Sequence, residues 1–338
     1  MPDLHLPRLG CPKRMVFGPC GGVRPDERCE VAEHRCVFLD EPAPAWPDPP
    51  AAPAAGSGLL RAAAEGPVVL ADLTVAPYDG GSLRRVVEVL APVADALLAG
   101  EHANRPDFPP TMLAERVHDA GGRLWTTLAC RDRNRVVLEQ ELAGLAALGA
   151  DGVLCVTGDA RGPGVRPGVT QVFDLDGPRL AALATAAGLP VAVPESPEAP
   201  PTALRPVRVA AKQRAGAQLC VLNHVGSPEG VAAFVAAARA AGATLPFLAS
   251  VAVYTDEGSA RVLQRFPGLH LDDDRVDRVL AAPDPRAAGI AAAVEEARAL
   301  LAVDGVVGVN LSGRGSARGE DDGARIKAAV AAELRGST

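Results

Sequence analysis

The chain has 338 residues, of which 48% are hydrophobic and 3% aromatic, so its core must be built mostly from Ala, Val and Leu. The net charge of −7 argues against general nucleic-acid binding, which needs a basic face. The sequence shows neither a signal-peptide pattern nor an apolar run of membrane length, which predicts a soluble, cytoplasmic protein with no membrane partner.

The first segment, residues 1–41, holds four of the seven cysteines. Cys11, Cys20, Cys29 and Cys36 are separated by eight, eight and six residues, unlike the paired spacing of common zinc fingers. Glycines around Cys20 allow backbone amides to approach a thiolate, and the segment has too few apolar residues to fold alone. We expect the four thiols to form a metal-binding module that holds Zn²⁺ or a [4Fe–4S] cluster, with four free thiols as the alternative.

A Pro/Ala-rich linker is predicted over residues 42–66, and its first part is expected to be extended. From residue 67 to residue 338, short apolar runs alternate with Ala-rich helical stretches. These runs are typical of strands buried on both faces. The predicted strands are Val68–Val75, Asp95–Ala99, Arg123–Cys130, Gly152–Thr157, Pro190–Pro194, Gln218–His224, Leu245–Val253 and Val306–Leu311.

Eight strands alternating with helices predict an α/β fold, a (β/α)₈ TIM-type barrel. A doubly wound open sheet is the alternative, and it would need a reversal of strand order. In a barrel, function lies at the C-terminal ends of the strands. The polar residues predicted at those ends include Asp72, Glu101, His102, Arg131, Asp132, Asn134, Thr157, Gly158, Asp159, Asn223 and His224.

Two of these strand ends carry distinctive patterns. In CRDRN, Arg131 leaves a buried strand near the barrel mouth and suits an anionic group, although helix capping by Asp132 is the alternative. In LCVTGD, Gly158 permits a tight turn and Asp159 offers a hydrogen-bond acceptor, although a turn or cap role is the alternative. The short spacing between the two patterns favours a shared site.

These segments resemble the methylenetetrahydrofolate reductase family. LACRDRN and LCVTGD stand in the family's order, together with ADLTVAP, VFDLDGPRL, KQRAGAQL and RFPGLHL, so that the resemblance covers about residues 67–313. CPKRMVFGPCGGV and the two cysteines after it resemble a cysteine module attached to some members of the family. In those members it is often at the C-terminal end, whereas here it comes first.

The resemblance implies an oxidoreductase of one-carbon metabolism that reduces 5,10-methylenetetrahydrofolate to 5-methyltetrahydrofolate. Such barrels usually hold FAD, which takes hydride from NAD(P)H. Carried over to this sequence, Asp159 would lie near the flavin and the pterin, Asp72 would be the acid that protonates the folate, and Asn223 would contact the pterin. The expected cofactor-binding residues are Arg131, Asp132, Asn134, Thr157, Gly158 and Asp159, and the further expected substrate contacts are His224, Glu101 and His102.

Two of these positions depart from the family pattern. Asp72 and Asn223 are each one methylene shorter than the Glu and Gln of the family, which changes the reach of both side chains. The low aromatic content favours folate binding over FAD binding. A folate- or pterin-dependent methyl-transfer or demethylation protein, or an accessory electron-delivery subunit, is the alternative function. Each of these functions is compatible with a homo-oligomer or with an electron-transfer partner subunit.

Overall fold

The computed structural model describes residues 7–39, 45–47, 56–101, 105–161, 165–265, 269 and 271–336. Eight parallel strands close into a barrel, each paired with its neighbours in the chain. They are β1 Val68–Asp72, β2 Ala96–Ala99, β3 Leu124–Ala129, β4 Gly152–Val156, β5 Val191–Glu195, β6 Leu219–Leu222, β7 Phe247–Tyr254 and β8 Val306–Gly315. The predicted TIM-type barrel is therefore confirmed, and the doubly wound sheet is excluded because β1 pairs with β8.

Helices surround the barrel. They are α1 Gly58–Glu65, α2 Gly80–Leu90, α3 Pro110–Asp119, α4 Arg135–Ala147, α5 Gly177–Ala186, α6 Arg205–Arg214, α7 Pro228–Ala240, α8 Glu257–Gln264, α9 Asp273–Leu280, α10 Pro285–Leu301 and α11 Glu320–Arg335. Many begin at an Asp, Asn or Ser whose side chain accepts from a backbone amide of the first turn, as Asp176 does for α5. None of the described helices has the length and apolar character of a membrane span.

Alternate residues of each strand pack in two layers. Ala71, Leu97 and Leu128 lie between the sheet and the helices, in the larger apolar cluster. Leu70 and Leu98 belong to a second cluster inside the barrel. The side chains of a strand point alternately into the barrel interior and toward the surrounding helices. Both environments are apolar, which explains why the apolar runs are almost continuous.

Helix α1, which lies within the predicted linker, closes the N-terminal end of the barrel. Leu59 is fully buried in the interior cluster, and Asp151 accepts hydrogen bonds from the amides of Gly58 and Leu59 and from Trp125 Nε1 (2.8 Å). The carboxylate thus binds the helix start and the indole together. This helix was not predicted, because eight residues behind a Pro/Ala tract give only a weak helical pattern.

The described part of the cysteine segment, residues 7–39, is called the cysteine module here, and it packs on the barrel near the ends of β4 and β5. The amides of Val16 and Phe17 donate to Asp176 Oδ2 at 2.9 and 3.0 Å. The ring of Phe17 lies 4.8 Å from that of Trp46, and Phe17 and Trp46 both join the main apolar cluster. The module is therefore continuous with the core of the barrel.

Candidate functional site

The β4 turn brings three predicted site residues to the barrel mouth. Gly158 has φ +91°, and an added Cβ would lie 3.1 Å from Ala129 Cβ and 3.2 Å from Arg131 Cβ, so a larger residue would be strained and would crowd both neighbours. Thr157 Oγ1 accepts from the amide that begins α5 (3.0 Å). Asp159 is exposed at the rim, and no described residue donates a hydrogen bond to its carboxylate. Crowding by the surrounding protein raises the pKa of Asp159, while nearby Lys13 opposes the rise.

The CRDRN loop supports this turn from β3. Arg131 is buried, donates from Nη1 to the carbonyl of Asp159 (3.1 Å), and pairs through Nε with Asp132 (2.9 Å). Asp132 also pairs with Arg161 (2.6 Å). Burial opposes ionisation of Asp132, but Arg161 and Arg131 together hold its pKa below the ordinary value. Asn134 instead caps α4 by accepting from the amide of Val137 (3.0 Å), so the capping that sequence offered to Asp132 belongs to Asn134.

Asp72, the predicted acid, is held at the seam of β1 and β8. Its carboxylate accepts from Asn310 Nδ2 (3.1 Å) and from the amide of Gly313 (3.2 Å). Lys327 Nζ donates to the carbonyls of Asp72 and Gly313. Burial raises the pKa of Asp72, partly offset by Lys327, and burial lowers the pKa of Lys327 to about 8. Burial thus favours the protonated form of the Asp72 carboxyl, and the contacts with Lys327, Asn310 and Gly313 favour the ionised form.

The remaining predicted substrate contacts lie at other strand ends. Glu101 pairs with Arg133 (2.6 Å). Burial raises the pKa of Glu101, and the positive charge of Arg133 opposes this rise. Asn223 donates to Ser196 Oγ (2.7 Å). His224 Nε2 lies 2.6 Å from Glu296 on α10, so this ring points toward the outer helices. His102 lies outside the described residues.

Glu195 is a further polar residue that the sequence places at a strand end, but the buried charge cluster that it forms at the end of β5 was not anticipated. Glu195 pairs with Lys212 (2.8 Å), Arg205 (3.3 Å) and Arg208 (3.5 Å). Burial opposes ionisation of Glu195, but the three cations outweigh it and lower the pKa to about 2. Arg205 also donates to the carbonyl of Cys20 (3.0 Å), so the cluster fixes the cysteine module to the barrel.

The positions of the lysines in the sequence are a signal that could have indicated which strand ends are bound by buried side chains. The chain contains only three, Lys13, Lys212 and Lys327, in a composition dominated by arginine. All three are buried, with exposures of 3%, 5% and 1%. Each donates to a backbone carbonyl at the C-terminal end of a strand or just after it. An ammonium group is more compact than a guanidinium group. In a chain that otherwise uses arginine, a lysine therefore indicates a position where space around the charge is limited.

The four cysteines of the module line one small cavity of about 20 Å³, together with Glu30. All four are free thiols. Backbone amides donate to three of the sulfurs: those of Lys13 and Met15 to Cys11, of Gly22 to Cys20 and of Phe38 to Cys36. Burial raises the pKa of Cys20 to about 11, opposed by Lys13. Among the described residues, no group of three His, Cys, Asp or Glu side chains has the spacing of a metal site.

Residues 5–41 match the family described as methylene-tetrahydrofolate reductase C terminal. The match confirms the resemblance predicted for the cysteine module, and it covers the part of the chain that touches the Asp159 turn. A comparison of the whole chain with curated proteins gives no match.

Several solved structures share the barrel. An uncharacterized protein from Clostridium thermocellum that binds two copies of 5-methyl-5,6,7,8-tetrahydrofolic acid is 12% identical, with a TM-score of 0.56 over 82% of this chain and 100% of that one. A 2,3-dimethylmalate lyase is 14% identical, with a TM-score of 0.46 over 75% and 77% of the two chains. An oxaloacetate acetylhydrolase is 16% identical, with a TM-score of 0.44 over 76% and 80%. At 12% identity the similarity to the C. thermocellum protein shows the fold alone, and the two structures with TM-scores below 0.5 add nothing to that.

Proposed function

We propose that this protein binds a folate at the barrel mouth and reduces 5,10-methylenetetrahydrofolate to 5-methyltetrahydrofolate. The observation that carries the proposal is the position of the segment that matches the reductase family. Lys13 and Glu30 of that segment bind the backbone on both sides of Asp159. The C. thermocellum protein that shares the barrel binds 5-methyltetrahydrofolate, the product of this reaction, which adds support.

The residues of the mouth suit the parts proposed for them. The Asp159 carboxylate is exposed and accepts from no described residue, so it is available to N–H groups of a pterin ring. Asp72, whose pKa is raised by burial, would deliver a proton to the folate nitrogen. Arg131 would keep the Asp159 turn in place through its hydrogen bond to that backbone.

Ring stacking has a candidate partner at the same mouth. Among the described residues, Tyr78 and Phe108 are the aromatic side chains that are not buried, and they lie in the loops after β1 and β2. Their rings make an edge contact at 5.7 Å. This pair fits one flat heterocycle, either the pterin or FAD. FAD, when bound, supplies the hydride that it receives from NAD(P)H.

The cysteine cavity matches a thiolate-bound metal in the identity of its donors, whereas the described side chains do not have the spacing of a formed metal site. Four free thiols share the cavity, and amide N–H groups directed at three sulfurs would stabilise the thiolate form. We therefore propose that Cys11, Cys20, Cys29 and Cys36 hold Zn²⁺ or a [4Fe–4S] cluster. Zinc would be structural, and a cluster would carry electrons.

One observation favours a second function. Both oxygens of the Asp72 carboxylate already accept hydrogen bonds, from Asn310 and from Gly313. A carboxylate held in this way suits ligand orientation better than proton delivery. A folate-dependent methyl-transfer or demethylation protein, which needs no such proton, is therefore the alternative.

The decisive experiment combines spectroscopy and turnover on the full-length purified protein. Metal analysis and an absorption spectrum identify zinc, iron–sulfur cluster or flavin. Methylenetetrahydrofolate is then supplied with NADH or NADPH, and 5-methyltetrahydrofolate is quantified. The Asp159→Asn variant should lose about tenfold or more in turnover, with little change in thermal stability. Folate binding without reduction would favour the methyl-transfer alternative or an accessory subunit, and no folate binding would refute both folate functions.

A further inference from the structure

An ion pair from the cysteine module binds the Asp159 turn on its outer side. Lys13 Nζ donates to the carbonyl of Gly158 (2.8 Å), and Glu30 Oε1 accepts from the amide of Ala160 (2.8 Å). Lys13 and Glu30 also pair with each other. The residues before and after Asp159 are therefore both attached to one pair of side chains.

This pair is shielded from solvent. The side chains of Lys13 and Glu30 are 4% and 10% exposed. Removing one member of a buried ion pair leaves the other charge without compensation, so such pairs hold their partners firmly. The pair is thus able to fix the turn and not merely to touch it.

The same two residues are joined to the cysteines. Lys13 is two residues after Cys11, and its amide donates to the Cys11 sulfur. Glu30 directly follows Cys29, and its Oε2 lies 3.6 Å from Cys20 Sγ. The thiols and the side chains that hold the turn therefore share two short stretches of chain and a direct contact between Glu30 and Cys20.

The inner side of the turn has little freedom to compensate. A Cβ at Gly158 would press on Ala129 and Arg131, and Arg131 holds the carbonyl of Asp159. The carboxylate of Asp159 accepts from no described residue, so the backbone of the turn, together with the nearby charge of Lys13, determines where it lies. The backbone is in turn set by Arg131 on one side and by the Lys13–Glu30 pair on the other.

We infer that Lys13 and Glu30 are positioning residues for Asp159, through which the arrangement of the cysteine cavity sets the geometry of the folate site. The inference deepens the proposed function and rests on it for the identity of the ligand. The hydrogen bonds between the module and the turn do not depend on that identity. Positioning and folate binding are therefore testable separately.

Hydrogen–deuterium exchange of the full-length protein tests the positioning. Glu30→Ala removes the acceptor of the Ala160 amide, and exchange in a peptide covering residues 157–161 should become about fivefold faster. The matched control is Glu33→Ala, which removes an exposed carboxylate of the same module and should leave that peptide unchanged. Glu30→Gln keeps an oxygen acceptor and should return exchange to within about twofold of wild type.

Unchanged exchange at residues 157–161 in Glu30→Ala would overturn the inference. Faster exchange throughout residues 7–39 would show that Glu30→Ala unfolds the module. In that case the Glu30→Gln and Lys13→Met variants provide the test. Lys13→Met should still accelerate exchange at residues 157–161. An unchanged exchange rate in that peptide would count against a positioning role.

Binding of 5-methyltetrahydrofolate gives the functional readout. Glu30→Ala should weaken binding about tenfold, and Glu33→Ala should not. If Glu30 acts through Asp159, the double variant with Asp159→Asn should bind no more weakly than Asp159→Asn alone, whereas additive losses would contradict the inference. If wild type binds no folate, the proposed function fails, and the exchange data alone decide the positioning role.

Discussion

Replacing Glu195 with Gln perturbs the charge cluster that joins the cysteine module to the barrel. The side chain is 1% exposed, and Lys212, Arg205 and Arg208 surround its carboxylate. An amide of nearly the same shape preserves the packing and removes the negative charge. Three buried cations would then face a neutral group, which makes the folded state less stable.

The expected loss follows from the pKa of the carboxyl group. A pKa of about 2 in the fold, against an ordinary value of 4.5, stabilises the fold by roughly 3 kcal/mol at pH 7, taking about 1.4 kcal/mol for each pKa unit. The pKa of Glu195 is lower in the folded state than in the unfolded state. The stabilisation is therefore complete when the pH is well above 4.5, and it is lost as the pH falls toward 2. At pH 3.5 roughly 2 kcal/mol of it should remain.

Urea unfolding of wild type and Glu195→Gln at pH 7 and pH 3.5 measures this difference. Trp46 packs on the module and Trp125 lies inside the barrel, so single-tryptophan variants report the two regions separately. Glu139→Gln is the control, because Glu139 forms an exposed pair within α4 and should change stability by about 0.5 kcal/mol or less. A cost below about 1 kcal/mol at pH 7, or a cost independent of pH, would refute the electrostatic account.

Further substitutions probe the mouth and the cysteine cavity. Gly158→Ala should destabilise the fold by about 1–3 kcal/mol and weaken folate binding, because of its positive φ and the tight contacts at 3.1 and 3.2 Å. Gly149→Ala, with φ +66° and open space, is its control in unfolding and binding titrations. Asp72→Asn should abolish folate reduction and spare NADH oxidation with an artificial acceptor, whereas loss of both activities would assign Asp72 to structure. Asp72→Glu should retain turnover if the pocket accepts the usual length. Cys20→Ser should lower the bound metal measured by elemental analysis while Trp125 fluorescence stays unchanged, and undiminished metal would exclude Cys20 as a ligand.

Much of the architecture was predictable because burial leaves a local pattern in the sequence. Eight nearly continuous apolar runs gave the number of strands, and the barrel rule then placed polar residues such as Asp72 and Asp159 at the mouth. Gly158 was recognisable as a tight turn, and the structure shows a positive φ and close neighbours that disfavour any larger residue there. The roles of these residues toward cofactor and substrate stay predictions.

The partners of these residues were decided only by tertiary structure. Asn134 serves as the cap of α4, and His224 points toward Glu296 on α10, although both belong to motifs that looked equally suited to a ligand. Lys13 and Glu30 meet the 158–160 turn across sequence separations of 145 and 130 residues. Periodicity records whether a side chain is buried. Which distant side chain it meets depends on how the helices and the cysteine module pack around the closed barrel, and no local pattern encodes that packing.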